Sequence, residues 1–138
     1  MLKNQRGQVL VEFAICIVLF FLFVFGLISA AMWGVTSYLT QEVAHEVARK
    51  YAVTGDSEEA KKKGEYFISK TLHLFIVPET VGIEVFEEGT SAKSTVTVEP
   101  VIKKYFSYHI NSITKTSHAT MEHHIRSDGK DKYIGGEL

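Results

Sequence analysis

Between Phe13 and Gln41 the chain carries no Asp, Glu, Lys or Arg. Phe13 to Val35 is almost wholly apolar, with Phe20, Phe21, Phe23 and Phe25 set among Leu, Ile and Val. At about 1.5 Å rise per residue, a helix over this run spans the roughly 30 Å hydrocarbon core of a bilayer. A short polar and basic stretch, Lys3-Asn4-Gln5-Arg6, stands ahead of it. Gly7 follows, and five residues later Glu12 sits at the membrane's edge. A carboxylate there needs a reason, because one placed in a bilayer costs on the order of 3 kcal/mol unless it is paired.

The flanks orient the span. Lys3 and Arg6 precede it, and the first charges after it are Glu42 and Glu46. The positive-inside bias keeps the N-terminus cytoplasmic and exports the rest, giving a single-pass protein of the cytoplasmic membrane.

The run Arg6-Gly7-Gln8-Val9-Leu10-Val11-Glu12-Phe13 resembles the cleavage site of class III prepilin signal peptides. More closely it resembles the TadE/TadF pseudopilins of tight-adherence (Flp-type) pili. That resemblance implies cleavage by a prepilin peptidase between Gly7 and Gln8, which makes Glu12 the fifth mature residue. Type IV pilins more commonly carry Phe or Met at the first mature position, and Gln8 fits the tight-adherence group better. The implied partners are the peptidase and other pilin-like subunits, namely the Flp major pilin and TadE/TadF proteins. The implied role is pilus assembly or initiation, with incorporation into an extracellular pilus as one destination. Placement of the bond agrees physically, because a cytoplasmic peptidase needs it outside the hydrocarbon. The new amine of Gln8 would lie one helical turn from Glu12, or face Glu12 of a neighbouring subunit, and either pairing offsets the cost of the carboxylate. Glu12 and Phe13 are therefore the expected assembly residues. The bland alternative is that Glu12 only caps the first turn at headgroup level.

The totals restrict the remainder. The chain has 138 residues and a formal net charge of −1. Loss of Lys3 and Arg6 with the leader leaves 13 basic against 16 acidic residues, a net −3. Such a balance argues against nucleic-acid binding. The only cysteine, Cys16, lies inside the apolar run and reads as a small hydrophobe. With a first helix to Val53, about 80 residues remain, near the lower limit for an independent core.

Four segments follow: a leader over 1–7, a long helix over 8–55 with its membrane part over 13–35, a small exported α+β domain over 56–126, and a disordered tail over 127–138. Past the membrane, Val43, Val47 and Tyr51 form an apolar stripe, and Ala44, Ala48 and Ala52 recur every four residues. Gly26, Ala30 and Gly34 share that spacing. Gly26, Ala30, Gly34, Ala44 and Ala48 are thus expected to form a seam against another subunit's helix, as small residues permit close approach. Trp33 and Tyr38 fall where an outer aromatic belt would lie. Gly55 reads as a helix stop, and Asp56 with Glu59 as a capping pair for a second helix over about 57–75. Its apolar face is Ala60, Gly64, Phe67, Ile68, Thr71, Leu74 and Phe75. Lys61-Lys62-Lys63 lies mostly off that face, as a solvated run. Beyond Pro78, Val81, Ile83 and Val85 alternate as in a strand. Glu87 to Lys93 reads as a hairpin loop and Thr95 to Glu99 as the returning strand, ended by Pro100. Ile113 to His124 reads as a third strand. Val101 to Tyr108 has no clear type. The expected fold is α+β: a long pilin-like transmembrane helix, a short helix and a small antiparallel sheet of about three strands.

Candidate chemistry is sparse. His118, Thr120, Glu122 and His124 would share one face of a strand, where zinc is conceivable, but exposed histidines on a small sheet usually do nothing. The stretch Asp128-Gly129-Lys130-Asp131 fails as a calcium loop, since lysines hold alternate acidic positions. We expect no enzyme, no metal and no cofactor. A competing expectation is a single-pass anchored binding domain, or a domain released at Ser29-Ala30-Ala31 by a Sec-type signal peptidase.

Overall fold

The computed structural model describes residues 5–121. It consists of one long helix carrying a small α+β unit on its C-terminal half. Helix α1 (Gln5–Thr54) is 50 residues long, about 75 Å at 1.5 Å per residue. Helix α2 (Ser57–Thr71) turns back along it. A single 3-10 turn (Pro78–Thr80) leads into β1 (Gly82–Glu88) and β2 (Ser91–Val98). Two short strands, β3 (Lys104–Tyr105) and β4 (Tyr108–His109), form a separate hairpin before β5 (Ile113–Thr120). The main sheet is antiparallel in the order β1-β2-β5. The expected α+β class, with its N-terminal apolar helix, short helix and small sheet, is what the chain adopts.

The N-terminal part of α1 is apolar all round and exposed, as in Phe13, Val18, Phe20 and Phe23. It is long and apolar enough to cross a membrane. From Thr36 onward the same helix becomes the spine of the α+β core. Thr36 and Thr40 are buried there, each hydroxyl donating to a carbonyl four residues earlier, at 2.8 and 2.7 Å. Hydroxyls satisfied within the helix let it pass from the apolar segment into the core without a stranded polar group. Val43, Ala44, Val47, Ala48, Tyr51 and Ala52 then pack beneath the sheet and α2. Strand β2 supplies the other wall: Ala92, Ser94, Val96 and Val98 are buried, alternating with half-buried residues, as the two-residue period of a strand requires.

Turn chemistry explains the reversals. Gly55 has φ 68° and its N–H donates to the Tyr51 carbonyl at 2.8 Å, a left-handed cap that glycine adopts without penalty. Asp56 caps α2, its Oδ1 accepting from the N–H groups of Glu58 and Glu59 at 2.9 and 3.2 Å. The reciprocal half of the expected capping box does not form: the Glu59 carboxylate pairs with Lys50 at 2.7 Å, and the Asp56 N–H donates to the Thr54 hydroxyl.

Several boundaries differ from those read in the sequence. Helix α2 stops at Thr71, capped by Leu72. Leu72 is therefore fully buried and Leu74 exposed, the reverse of an unbroken helical stripe to Phe75. The hairpin loop is only Gly89-Thr90, since Glu88 pairs with Ser91. Gly89 at φ 65° turns the chain so tightly that Lys93 remains in the ladder. Strand β5 ends at Thr120. Glu122, His124 and the tail lie outside the described residues. Val101 to Tyr108, untyped in sequence, contains β3 and the start of β4.

Lys63 is not a free surface charge. Its Nζ meets Glu46 Oε2 at 2.7 Å and ties α2 to α1. That hydrogen bond outweighs partial burial and holds the Glu46 carboxyl below its ordinary value of 4.5. A carboxyl depressed on folding stabilises above its unfolded pKa, and the gain is lost as pH falls through the folded value. Docking of α2 is thus expected to weaken below about pH 4.5, by less than about 1 kcal/mol because the pair is partly exposed. Thermal unfolding of wild type and Glu46→Gln at neutral and acid pH checks this. The wild type should lose its small advantage in acid.

Candidate assembly site

The residues expected to direct processing and assembly lie at the start of α1. Helix α1 begins at Gln5, so the Gly7–Gln8 peptide sits within its first turns. A Cβ built on Gly7 would meet nothing within 4 Å. No contact among the described residues explains a glycine there. One turn on, the Gln8 Nε2 amide donates to Glu12 Oε1 at 2.9 Å. Gln8 and Glu12 therefore share one face of the helix, and the Glu12 carboxylate already turns toward the residue whose amine cleavage would expose. Phe13 is 64% exposed and continues into the bare apolar surface. The one cysteine, Cys16, is also exposed on this surface.

The small residues read as one seam divide into two groups. Ala44 and Ala48 are fully buried within the chain's own core. They lie beneath the sheet and are closed to a second subunit. Gly26 is covered by Tyr105, whose ring atoms would come within 3.1 Å of a Cβ there. Ala30 and Gly34 remain exposed, and a Cβ on Gly34 would meet nothing. A close approach by another helix is therefore open at Ala30 and Gly34. The stripe could not reveal this in sequence, because identical spacing serves internal and external packing alike.

The aromatic belt residues also part company. Tyr38 is 69% exposed. Trp33 is engaged within the chain: its Nε1 donates to the Ile102 carbonyl at 2.5 Å, and its ring lies 5.8 Å from that of Tyr108. Tyr105 reaches further, its hydroxyl donating to the Leu22 carbonyl. The β3–β4 hairpin thus lies along α1 from Trp33 toward Leu22. It was missed in sequence because two-residue strands leave no periodic signal.

The histidine face is only partly described. His118 and Thr120 are exposed on β5, on the outer face of the sheet. That face also carries the hydroxyl pairs Thr95–Thr116 and Thr97–Thr114, at 3.2 and 3.0 Å. Among the described residues no group of three His, Cys, Asp or Glu side chains is placed to hold a metal ion.

The model of a family described as TadE-like protein matches residues 7–49. The match starts at Gly7, takes in Gln8, Glu12 and the apolar run, and ends at Arg49 on the core-forming half of α1. No curated protein and no solved structure matches the chain.

Proposed function

We propose that this chain, TadE-like along residues 7–49, is a pilin-like subunit of a tight-adherence pilus system. It is inserted with its N-terminus in the cytoplasm and its α+β unit outside, and a prepilin peptidase cuts between Gly7 and Gln8. It then associates laterally with other pilin-like subunits through the exposed apolar half of α1. Its work is packing and charge pairing, with no catalysis. The observation that carries this reading is the Gln8–Glu12 pair one helical turn apart, set between an unhindered Gly7 and a bare apolar helix.

After cleavage the positive amine of Gln8 would stand at the positive end of the helix dipole. Glu12 on the same face offsets that charge, and the amine offsets the desolvation of Glu12. In a bundle of such helices the same carboxylate can pair with a neighbour's amine and so set the axial register. Ala30 and Gly34, exposed on α1, support close approach by a second helix.

Glu12→Ala tests the pairing. The side chain is exposed and contributes nothing to the core, so the fold and the peptidase bond are left in place. Processing should continue, while co-purification with pilin-like partners from detergent-solubilised membranes should fall by about tenfold, the equivalent of roughly 1.4 kcal/mol. Unchanged co-purification would remove Glu12 from the mechanism.

A further inference from the structure

We infer that the β3–β4 hairpin is a foot that rests on the outer leaflet of the membrane, with Tyr105 and Phe106 at the boundary between acyl chains and headgroups. The inference rests on the proposed topology, with the N-terminus inside and the α+β unit outside. It identifies the lipid interface as the occupant of this surface, and it moves the outer edge of the span from the neighbourhood of Val35 to that of Leu22–Leu27.

The first observation is position. Tyr105 hydrogen-bonds the Leu22 carbonyl and covers Gly26. Leu22 lies about 16 Å along the helix from Trp33 at 1.5 Å per residue. The hairpin is paired through Lys104–His109 and Tyr105–Tyr108, with the Ile110 N–H donating to the Lys103 carbonyl at 2.8 Å, and its Phe106-Ser107 turn stands outside the ladder. Irregular backbone facing lipid is not tolerated in hydrocarbon. The hydrocarbon must therefore end where the hairpin begins. Val9 to Leu27 measures about 28 Å, which matches the roughly 30 Å core and leaves the Gly7–Gln8 bond at the inner surface.

The second observation is the tip. Phe106 has φ 53°, the only non-glycine residue with positive φ among the described residues. Glycine or asparagine suits such a position, and a bulky aromatic is strained there. Phe106 is nevertheless 80% exposed, so no contact among the described residues compensates. An apolar ring held outward at the level of a membrane surface gains its environment from lipid.

The third observation is the two-sidedness of the hairpin. Tyr105 contacts α1, and the Tyr108 ring lies tilted at 36° against that of Trp33. Lys104 and His109 pair across the hairpin on its other face and are both exposed. Lysine at an aromatic-rimmed interface can extend to lipid phosphates.

Spin-label quenching of the full-length chain in phosphatidylethanolamine–phosphatidylglycerol vesicles tests the inference. In a Cys16→Ala background, bimane is attached singly through Leu19→Cys, Phe106→Cys or Thr120→Cys. Thr120 is exposed at the far end of β5, paired with Ser91 beside the β1–β2 turn. Lipids spin-labelled near the headgroup should quench the Phe106 label at least about twofold more than the Thr120 label, and lipids labelled near the chain end should quench Leu19 most. Equal, weak quenching at Phe106 and Thr120 with strong quenching at Leu19 would overturn the foot while leaving the anchor standing. Protection of the Phe106 label only when pilin-like partners are added would likewise overturn it, in favour of a protein contact. Absence of quenching at Leu19 would overturn the membrane topology and the foot together.

Discussion

Gly7→Leu should leave the chain in the membrane as an uncut precursor, with processing slowed by about 100-fold, equivalent to roughly 2.7 kcal/mol of lost transition-state stabilisation. Two physical effects act together. A Cβ at position 7 meets nothing within the chain, so the substitution spares this protein's fold and any loss arises in the encounter with the peptidase. The bond also lies inside α1, and a protease needs its substrate locally unwound. Leucine in place of glycine makes the helix about 0.8 kcal/mol harder to open, in addition to the bulk it presents to the enzyme. Gly7→Ala separates the two, since it adds the helix propensity with little bulk and should process at an intermediate rate. Pulse-labelled chain followed by gel mobility reads all three. Normal processing of the leucine variant would remove Gly7 from the cleavage site.

Gly64→Val should produce the largest loss of stability. Helix α2 crosses α1 at this glycine, and an added Cβ would lie 2.6 Å from Val47 Cγ2 and 2.9 Å from Ile83 Cδ1. Ile83 can swing its terminal methyl away. Val47 cannot, because its branch at Cβ is stiff and it is completely buried. Relief requires α2 to move off α1, with a cost of about 3 kcal/mol for valine and about half of that for alanine. Gly82→Ala is the control: its Cβ would stand 3.9 Å from Thr97 Cβ, an ordinary contact, and should change stability by less than about 0.5 kcal/mol. Thermal unfolding of the full chains in detergent, followed by circular dichroism, gives the comparison. A Gly64→Val variant as stable as wild type would show that α2 does not pack on α1 as described.

These two glycines also show what could be read in advance. The expectation at Gly7 rests on a run that combines a basic leader, a glycine, a carboxylate at fixed spacing and an apolar helix, all local in sequence. Gly64 could be placed on the apolar face of α2, but its role depends on which residue of α1 lies opposite, and that is set by the angle between two helices. The buried Val43–Val47–Tyr51 stripe and the inward alternation of Ile83 and Val85 followed from the periods of helix and strand. The fate of Ala44 and Ala48 did not, because spacing alone cannot tell an internal partner from an external one. The β3–β4 hairpin was invisible for a further reason: its strands are too short to show a period, and a strained Phe106 stands where turn chemistry would favour Gly or Asn.

The N-terminal residue of the protein recovered from its native membrane is the decisive measurement. Terminal sequencing or intact mass should give a chain that begins at Gln8, with the Gly7–Gln8 bond cut. A chain that still begins at Met1 would contradict processing and leave a plain single-pass anchor. A chain beginning near Met32 would contradict the membrane helix itself and make the α+β unit a released domain.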